Sequence, residues 1–153
     1  MSSLMERTKA STIMRNSIRK AYDIALDAHK YKFDLSGSAY INHPIAVSNM
    51  VRGKKAKIVA LLHDVLEDSD YNKEDLQQFF SKDICDAVEA LTREKDENYF
   101  KYIHELKENK LARKVKIADL KHNMDVSRLK ALNDCDIKRL KKYLCAYHIL
   151  ISD

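Results

Sequence analysis

The chain has 153 residues, 45% of them hydrophobic and 33% charged, which suits a single domain with its own core and excludes a disordered chain. Two glycines and one proline leave little material for tight turns, arguing against an all-β sandwich or a Gly-rich nucleotide loop. The net charge of +5 is unevenly spread: residues 1–60 hold 11 Lys and Arg against 4 acids, residues 61–98 hold 4 against 12, and residues 99–153 hold 13 against 7. A nucleic-acid duplex is not expected as partner, because its binders carry a basic stripe without so acidic a centre. Two basic segments around an acidic one suit a cleft that holds a cation and attracts an anion, although solvated helix faces would give the same counts.

Three widely spaced cysteines, Cys85, Cys135 and Cys145, form no C-x-x-C pair. They argue against a disulfide framework or zinc ribbon and for a reducing compartment. No stretch approaches the roughly 18 apolar residues of a membrane span, and the N-terminus has no apolar signal core. A cytoplasmic protein without membrane partners is expected.

In chain order, residues 1–12, rich in Ser, Thr and charge, are expected to fray. A helix follows over about 16–30, with Ile18, Ala21, Tyr22, Ala25 and His29 on one stripe. Residues 31–42, containing Ser36-Gly37-Ser38, read as a loop. His43-Pro44 opens a short helix that Gly53 closes. The next helix, 54–67, is apolar nearly all round (Ala56, Ile58, Val59, Ala60, Leu61, Leu62, Val65, Leu66) and therefore central. Asn72 is expected to cap 73–80, and helices follow over 83–91, 98–108 and 111–124. Asp136 is expected to cap the last helix, with Ile137, Leu140, Leu144, Tyr147 and Ile151 as its buried stripe. Nothing alternates with period two. The expected fold is all-α: a compact multi-helix bundle forming one domain over 1–153, with the cysteines in its core.

His63-Asp64 is the anomaly, an ionisable pair inside the most apolar helix. Burying an unpaired carboxylate costs several kcal/mol, and a neighbouring imidazole gives no relief. A cation would resolve the conflict. Glu67 and Asp68 follow one turn later, placing an imidazole and three carboxylates along one flank; equally, the acids can reach solvent at a helix end. His43, held before Pro44, can project its ring from a helix start. Asp119 lies in the mostly apolar run Val115-Lys116-Ile117-Ala118-Asp119-Leu120, sharing a face with Lys116 and Asn123. His104 and His148 read as surface or packed residues. His122 points about 100° from Asp119 on a helix and is left outside the candidate site.

The resulting pattern H…HD…D resembles the HD-domain metal-dependent phosphohydrolases. More narrowly, it is similar to the hydrolase domain of RelA/SpoT-type alarmone enzymes and their small stand-alone relatives. The matching stretches are Tyr40-Ile41-Asn42-His43-Pro44, Ala60 to Asp68 and Val115 to Met124, with weaker similarity extending from about 28 to 129. A bare HD dipeptide means little, but three extended motifs in order are specific.

The resemblance implies an HD-domain bundle that holds one divalent ion, Mn2+ by analogy, on His43, His63, Asp64 and Asp119. Mixed imidazole and carboxylate ligands suit such an ion. By the same analogy Glu67 and Asp68 orient or deprotonate the attacking water. Asn123 matches a position near the nucleotide sugar, and Lys116 or Lys121 can meet phosphate. Lys32 and Ser36 belong to the loop that meets the purine. There the family usually carries a basic pair; here Lys32-Phe33 or Asp34-Leu35 falls in its place, which predicts weak base discrimination.

The expected activity is a guanosine 3′,5′-bis(diphosphate) 3′-pyrophosphohydrolase without a synthetase part. The alternatives are an HD phosphohydrolase acting on another nucleotide or phosphoester, and a non-catalytic nucleotide-binding sensor.

Overall fold

A computed structural model describes residues 4–153, and its regular elements are all helical. They are α1 (Leu4–Ala28), α2 (Asn42–Met50), α3 (Lys54–Leu62), α4 (Val65–Asp68), α5 (Lys73–Gln77), α6 (Lys82–Leu91), α7 (Tyr99–Lys107), α8 (Lys110–Asn123) and α9 (Asp134–Ile151). An isolated antiparallel bridge joins Phe33 to Ala39 in the loop before α2.

Helix α3 is central, packing against α1, α2, α6 and α8. Its side chains Ile58, Val59, Leu61 and Leu62 are buried with Ala21, Ala25, Val47, Val65, Val88, Ala112 and Val115 in the larger of two cores. Full burial of a Val, Leu or Ile side chain contributes about 1.5–3 kcal/mol. The smaller core gathers Tyr102, Ile103 and Leu106 of α7, Leu120 of α8, and Ala146 and Leu150 of α9. Helix α8 serves both: Ala118 belongs to the first core and Leu120 to the second, which sets Asp119 at the seam.

Helix starts follow local chemistry. Asn72 and Asn133 each accept from the backbone N–H three residues on, while Asp75 and Asp136 return the bond to the cap's own N–H. Asn98 and Asn109 cap α7 and α8.

Several expectations change. The stretch expected to fray is helical from Leu4; residues 1–3 lie outside the described residues. Gly53 does not close α2, whose C-cap is Val51; it opens α3 at φ 97°, a left-handed conformation that costs a side chain with a Cβ. The cap of α9 is Asn133, and Asp136 is its third helical residue. On α9, Ile137, Leu144 and Ile151 are exposed and Ala146 and Leu150 are buried instead. Of the cysteines only Cys85 is buried; all three are free.

The expected continuous helix over 54–67 divides at His63-Asp64. Asp64 sits at φ −104° and ψ 0°, before the chain resumes as α4. Neighbouring residues on a regular helix point about 100° apart. Across this loosened turn the two side chains meet, His63 Nε2 lying 3.1 Å from Asp64 Oδ2.

Candidate metal centre

Three elements deliver the centre: the start of α2 brings His43, the turn after α3 brings His63 and Asp64, and the C-terminal half of α8 brings Asp119. His43, His63 and Asp119 are buried, and each offers a ligand atom within 4.8 Å of the others'. His43 Nε2 lies 2.9 Å from Asp119 Oδ1 and 4.0 Å from Asp64 Oδ2.

The donor chemistry fits a divalent cation. His63 Nδ1 is 2.6 Å from the Ala60 carbonyl, so that nitrogen carries the proton and donates it. Its Nε2 lone pair then faces carboxylate oxygens, at 3.1 Å from Asp64 and 3.4 Å from Asp119, with no aligned hydrogen bond to either. A lone pair buried among anionic oxygens is repulsive until a cation stands between them. Without an ion a proton meets the same need: burial opposes the positive charge on His63, yet the carboxylates of Asp64 and Asp119 outweigh it and hold its pKa well above the usual histidine value, so a metal ion competes with that proton for Nε2. The set of two imidazoles and a carboxylate, with Asp64 beside it, is the kind that holds a divalent metal.

Asp119 is kept ionised against its burial by Lys116, His43 and His63, which hold its carboxyl well below the usual range. Lys116 Nζ donates to Oδ2 at 2.8 Å, and Asn123 Nδ2 donates to Oδ1 at 2.8 Å. Lys116, Asp119 and Asn123 thus meet along one face of α8, three and four residues apart. The Lys116 side chain is largely buried, which opposes its charge, and Asp119 overrides this and raises its pKa. Asp64 accepts a hydrogen bond from the Tyr40 hydroxyl.

Glu67 and Asp68 stand beside the centre on the wall of a cavity of about 300 Å³ that also exposes Tyr40, His43, Asp64, Asp119 and Asn123. Burial raises both carboxyl pKa values, and the charge of Asp64 adds to the effect; at Glu67 the Arg93 backbone N–H, donating to Oε1 at 3.0 Å, works in the opposite direction. Carboxylates of raised pKa are the stronger bases.

The other loop and helix candidates divide. Lys32 donates from Nζ to the Asp68 backbone carbonyl. Ser36 donates to Asp34 Oδ1 and lines a second cavity of about 320 Å³ with Phe33, Leu35, Arg128 and Arg139. Tyr40, Asn123 and Tyr143 line both cavities, so the two adjoin. Lys121 turns from both cavities toward the Tyr147 ring, 5.8 Å from its centroid.

Two residues absent from the sequence-based site touch its members. His122, set aside on helical angle, places Nδ1 2.7 Å from His43 Nδ1. His43 arrives from α2 on that side, and the imidazole's length spans the angular offset. With His43 Nε2 turned to the centre, Nδ1–H is the donor and His122 Nδ1 the acceptor. Burial, then His43 and Arg128, lower the His122 pKa and favour the neutral ring an acceptor requires. Tyr40 lies in a matching stretch, but only the tertiary contact reveals its bond to Asp64. Partners of this kind orient metal ligands, and losing one typically costs 10–100-fold in affinity. His122→Phe is therefore expected to weaken Mn2+ binding by about that factor in calorimetric titration, with His122→Asn, which keeps an acceptor, recovering part of it. Equal affinity in wild type and His122→Phe would remove His122 from the centre.

The comparisons with known proteins agree with this geometry. The HD domain family model matches residues 21–144. Over 122 residues the chain is 34% identical to the bifunctional (p)ppGpp synthase/hydrolase SpoT of Escherichia coli, covering 70% of this chain and 17% of that protein. It is 38% identical over 93 residues to a guanosine-3′,5′-bis(diphosphate) 3′-pyrophosphohydrolase of Borreliella burgdorferi, covering 58% and 14% respectively. The chain thus spans about a sixth of these relatives' length. A solved metazoan ortholog of SpoT, described as hydrolysing ppGpp and playing a role in starvation responses, superposes with a TM-score of 0.74 at 22% identity. That match covers 89% of this chain and 86% of the other. Three motifs in order, their convergence on a buried His-His-Asp group and a family match over most of the sequence lead to one assignment: the chain belongs to the HD-domain family and is related to the SpoT/RelA hydrolase domain.

Proposed function

We propose that this chain is a metal-dependent hydrolase that removes pyrophosphate from the 3′ position of guanosine 3′,5′-bis(diphosphate). The observation that carries the reading is the pairing, in one cavity, of a buried His-His-Asp group with two carboxylates of raised pKa. The names and activities of the relatives support the substrate class.

His43, His63, Asp64 and Asp119 are the proposed ligands, and Mn2+ the proposed ion. When bound, such an ion offsets phosphate charge and lowers the pKa of the attacking water. Glu67, steadied by the Arg93 N–H, accepts the proton as the water oxygen bonds to the 3′-attached phosphorus, and Asp68 orients that water. The bond from that phosphorus to the ribose 3′ oxygen breaks, and the oxygen takes up a proton. The products are guanosine 5′-diphosphate and pyrophosphate. Lys116 and Asn123 hold Asp119 in place, and Asn123, lining both cavities, is positioned for the sugar. The adjoining cavity of about 320 Å³ takes the nucleoside, with Phe33 and Leu35 as apolar wall and Ser36 and Arg128 as polar contacts.

A broader choice of base is favoured by Lys32, which is turned to the Asp68 carbonyl and not among the residues lining the nucleoside cavity. One charge-assisted contact is worth roughly 1.5–3 kcal/mol, or about ten- to a hundredfold in affinity. Mn2+-dependent pyrophosphate release is expected from guanosine and adenosine 3′,5′-bis(diphosphates), with kcat/KM values within about tenfold of each other. Metal-independent release, or none from either nucleotide, would refute the hydrolase reading; strong guanine preference would refute only the broad specificity.

A further inference from the structure

The apolar stripe of α9 is left uncovered by the described residues. Ile137, Leu144 and Ile151 are 41%, 51% and 45% exposed. Positions seven apart on a helix differ by about 20° in direction, so the three side chains follow one line. Leu140 and Tyr147, both half-buried, stand about 40–60° to one side and widen the line to a seam of five apolar side chains. Single exposed hydrophobics are ordinary on a surface, whereas a contiguous apolar patch marks a contact. The other faces of α9 are already in use. Ala146 and Leu150 fill the smaller core, while Arg139, Lys142 and Tyr143 line the cavities.

The spacing of the seam points to its cover. About Leu144 the pattern reads alike in both directions: Ile137 and Ile151 stand seven residues to either side, and Leu140 and Tyr147 four and three. A twofold contact requires a patch of this kind, because the surface must complement itself; a foreign helix would require no such symmetry. With two α9 helices antiparallel and Leu144 on the axis, Leu144 meets its own copy, Ile137 meets Ile151 of the second copy, and Leu140 meets Tyr147. The charges suit this register, since the flanking Lys141 comes opposite His148 and not another lysine. From Ile137 to Ile151 the seam runs about 21 Å. A helix pair of that length lies near the lower bound of roughly 1,000 Å² for stable association, so the contact is expected to be weak.

We propose that the exposed seam of α9 pairs antiparallel with the same seam of a second copy, making the protein a weak homodimer with Leu144 on its twofold axis. The inference is independent of the hydrolase reading, because none of the five seam residues belongs to the metal centre or lines either cavity beside it.

Sedimentation velocity on the wild-type chain, from about 1 to 300 μM, tests the pairing. The expected result is a shift from a 17.8 kDa monomer to twice that mass, with a Kd of about 10–100 μM. Leu144→Glu sets two carboxylates together on the axis and is expected to weaken association at least tenfold, with the urea midpoint little changed because Leu144 is half exposed in the single chain. Ile137→Lys is expected to weaken it as well. Adding Ile151→Glu to that variant is expected to restore association, since antiparallel pairing places the opposite charges across the axis. Cys145, exposed and one residue from the axis, is expected to cross-link to its mate with a short bismaleimide, and Cys145→Ser to abolish the product. A wild type that stays monomeric over this range, or association undiminished in both Leu144→Glu and Ile137→Lys, would overturn the proposal. Failure of Ile151→Glu to rescue Ile137→Lys would overturn the antiparallel register.

Discussion

Glu67→Gln and Asp68→Asn are expected to lower kcat by about 10²–10⁴-fold each while metal affinity is retained, because a positioned general base contributes that much. Both side chains face the cavity beside the ligand group without belonging to it. Their raised pKa values give the reaction a pH signature. A base works only when deprotonated, so kcat/KM falls as pH drops, beginning above the ordinary carboxylate range. Steady-state kinetics at saturating Mn2+ across pH 4–9, run beside calorimetric metal titration, separates the roles. Full activity in either variant would remove that carboxylate from the mechanism, and loss of metal binding would make it a ligand.

Asp119→Ala is expected to abolish metal binding and also to destabilise the fold by about 3–5 kcal/mol, the usual cost of removing one member of a buried ion pair. The reason lies in its neighbours. Lys116 is largely buried and has Asp119 as its one ion-pair partner among the described residues, while Asn123 and His43 also converge on the same carboxylate. Asp119→Asn retains shape and part of the hydrogen bonding, so it should lose the ion at a smaller cost in stability. Urea unfolding with chelator present measures the stability change, and Mn2+ titration the binding. A variant Asp119→Ala as stable as wild type would show that Lys116 and the histidines find other partners.

The centre was legible because its chemistry conflicts with its surroundings. Ionisable residues among apolar helical positions, at His63-Asp64 and Asp119, have few uses other than binding a cation, and their spacing within matching stretches carried the family resemblance. The loop was less legible. The sequence sets Lys32 in the loop that the resemblance turns to the purine; the contact of its ammonium group with the Asp68 carbonyl, at the end of α4, is visible only in the fold. His122 was excluded by helical angle alone, a criterion that ignores where α2 brings the His43 ring.

Helix α9 shows the same division in the fold. Ile137, Leu144 and Ile151 recur every seven residues and read as a buried stripe, yet all three are exposed. The buried face carries Ala146 and Leu150, which pack with Tyr102, Leu106 and Leu120. Two faces of the helix are apolar enough to be buried, and the surfaces of α7 and α8 select between them. Sequence by itself determined the helical class, the central place of the segment that becomes α3, the asparagine cap before α5 and the candidate residues His43, His63 and Asp119 that the fold gathers into one group. These depend on composition, short-range periodicity and side-chain chemistry. Only the tertiary structure decided the turn at His63-Asp64 that brings adjacent side chains together, the His122–His43 contact, and which apolar face of α9 packs inside. Those depend on the approach of helices distant in sequence, where packing of whole surfaces sets the geometry and no local pattern encodes it.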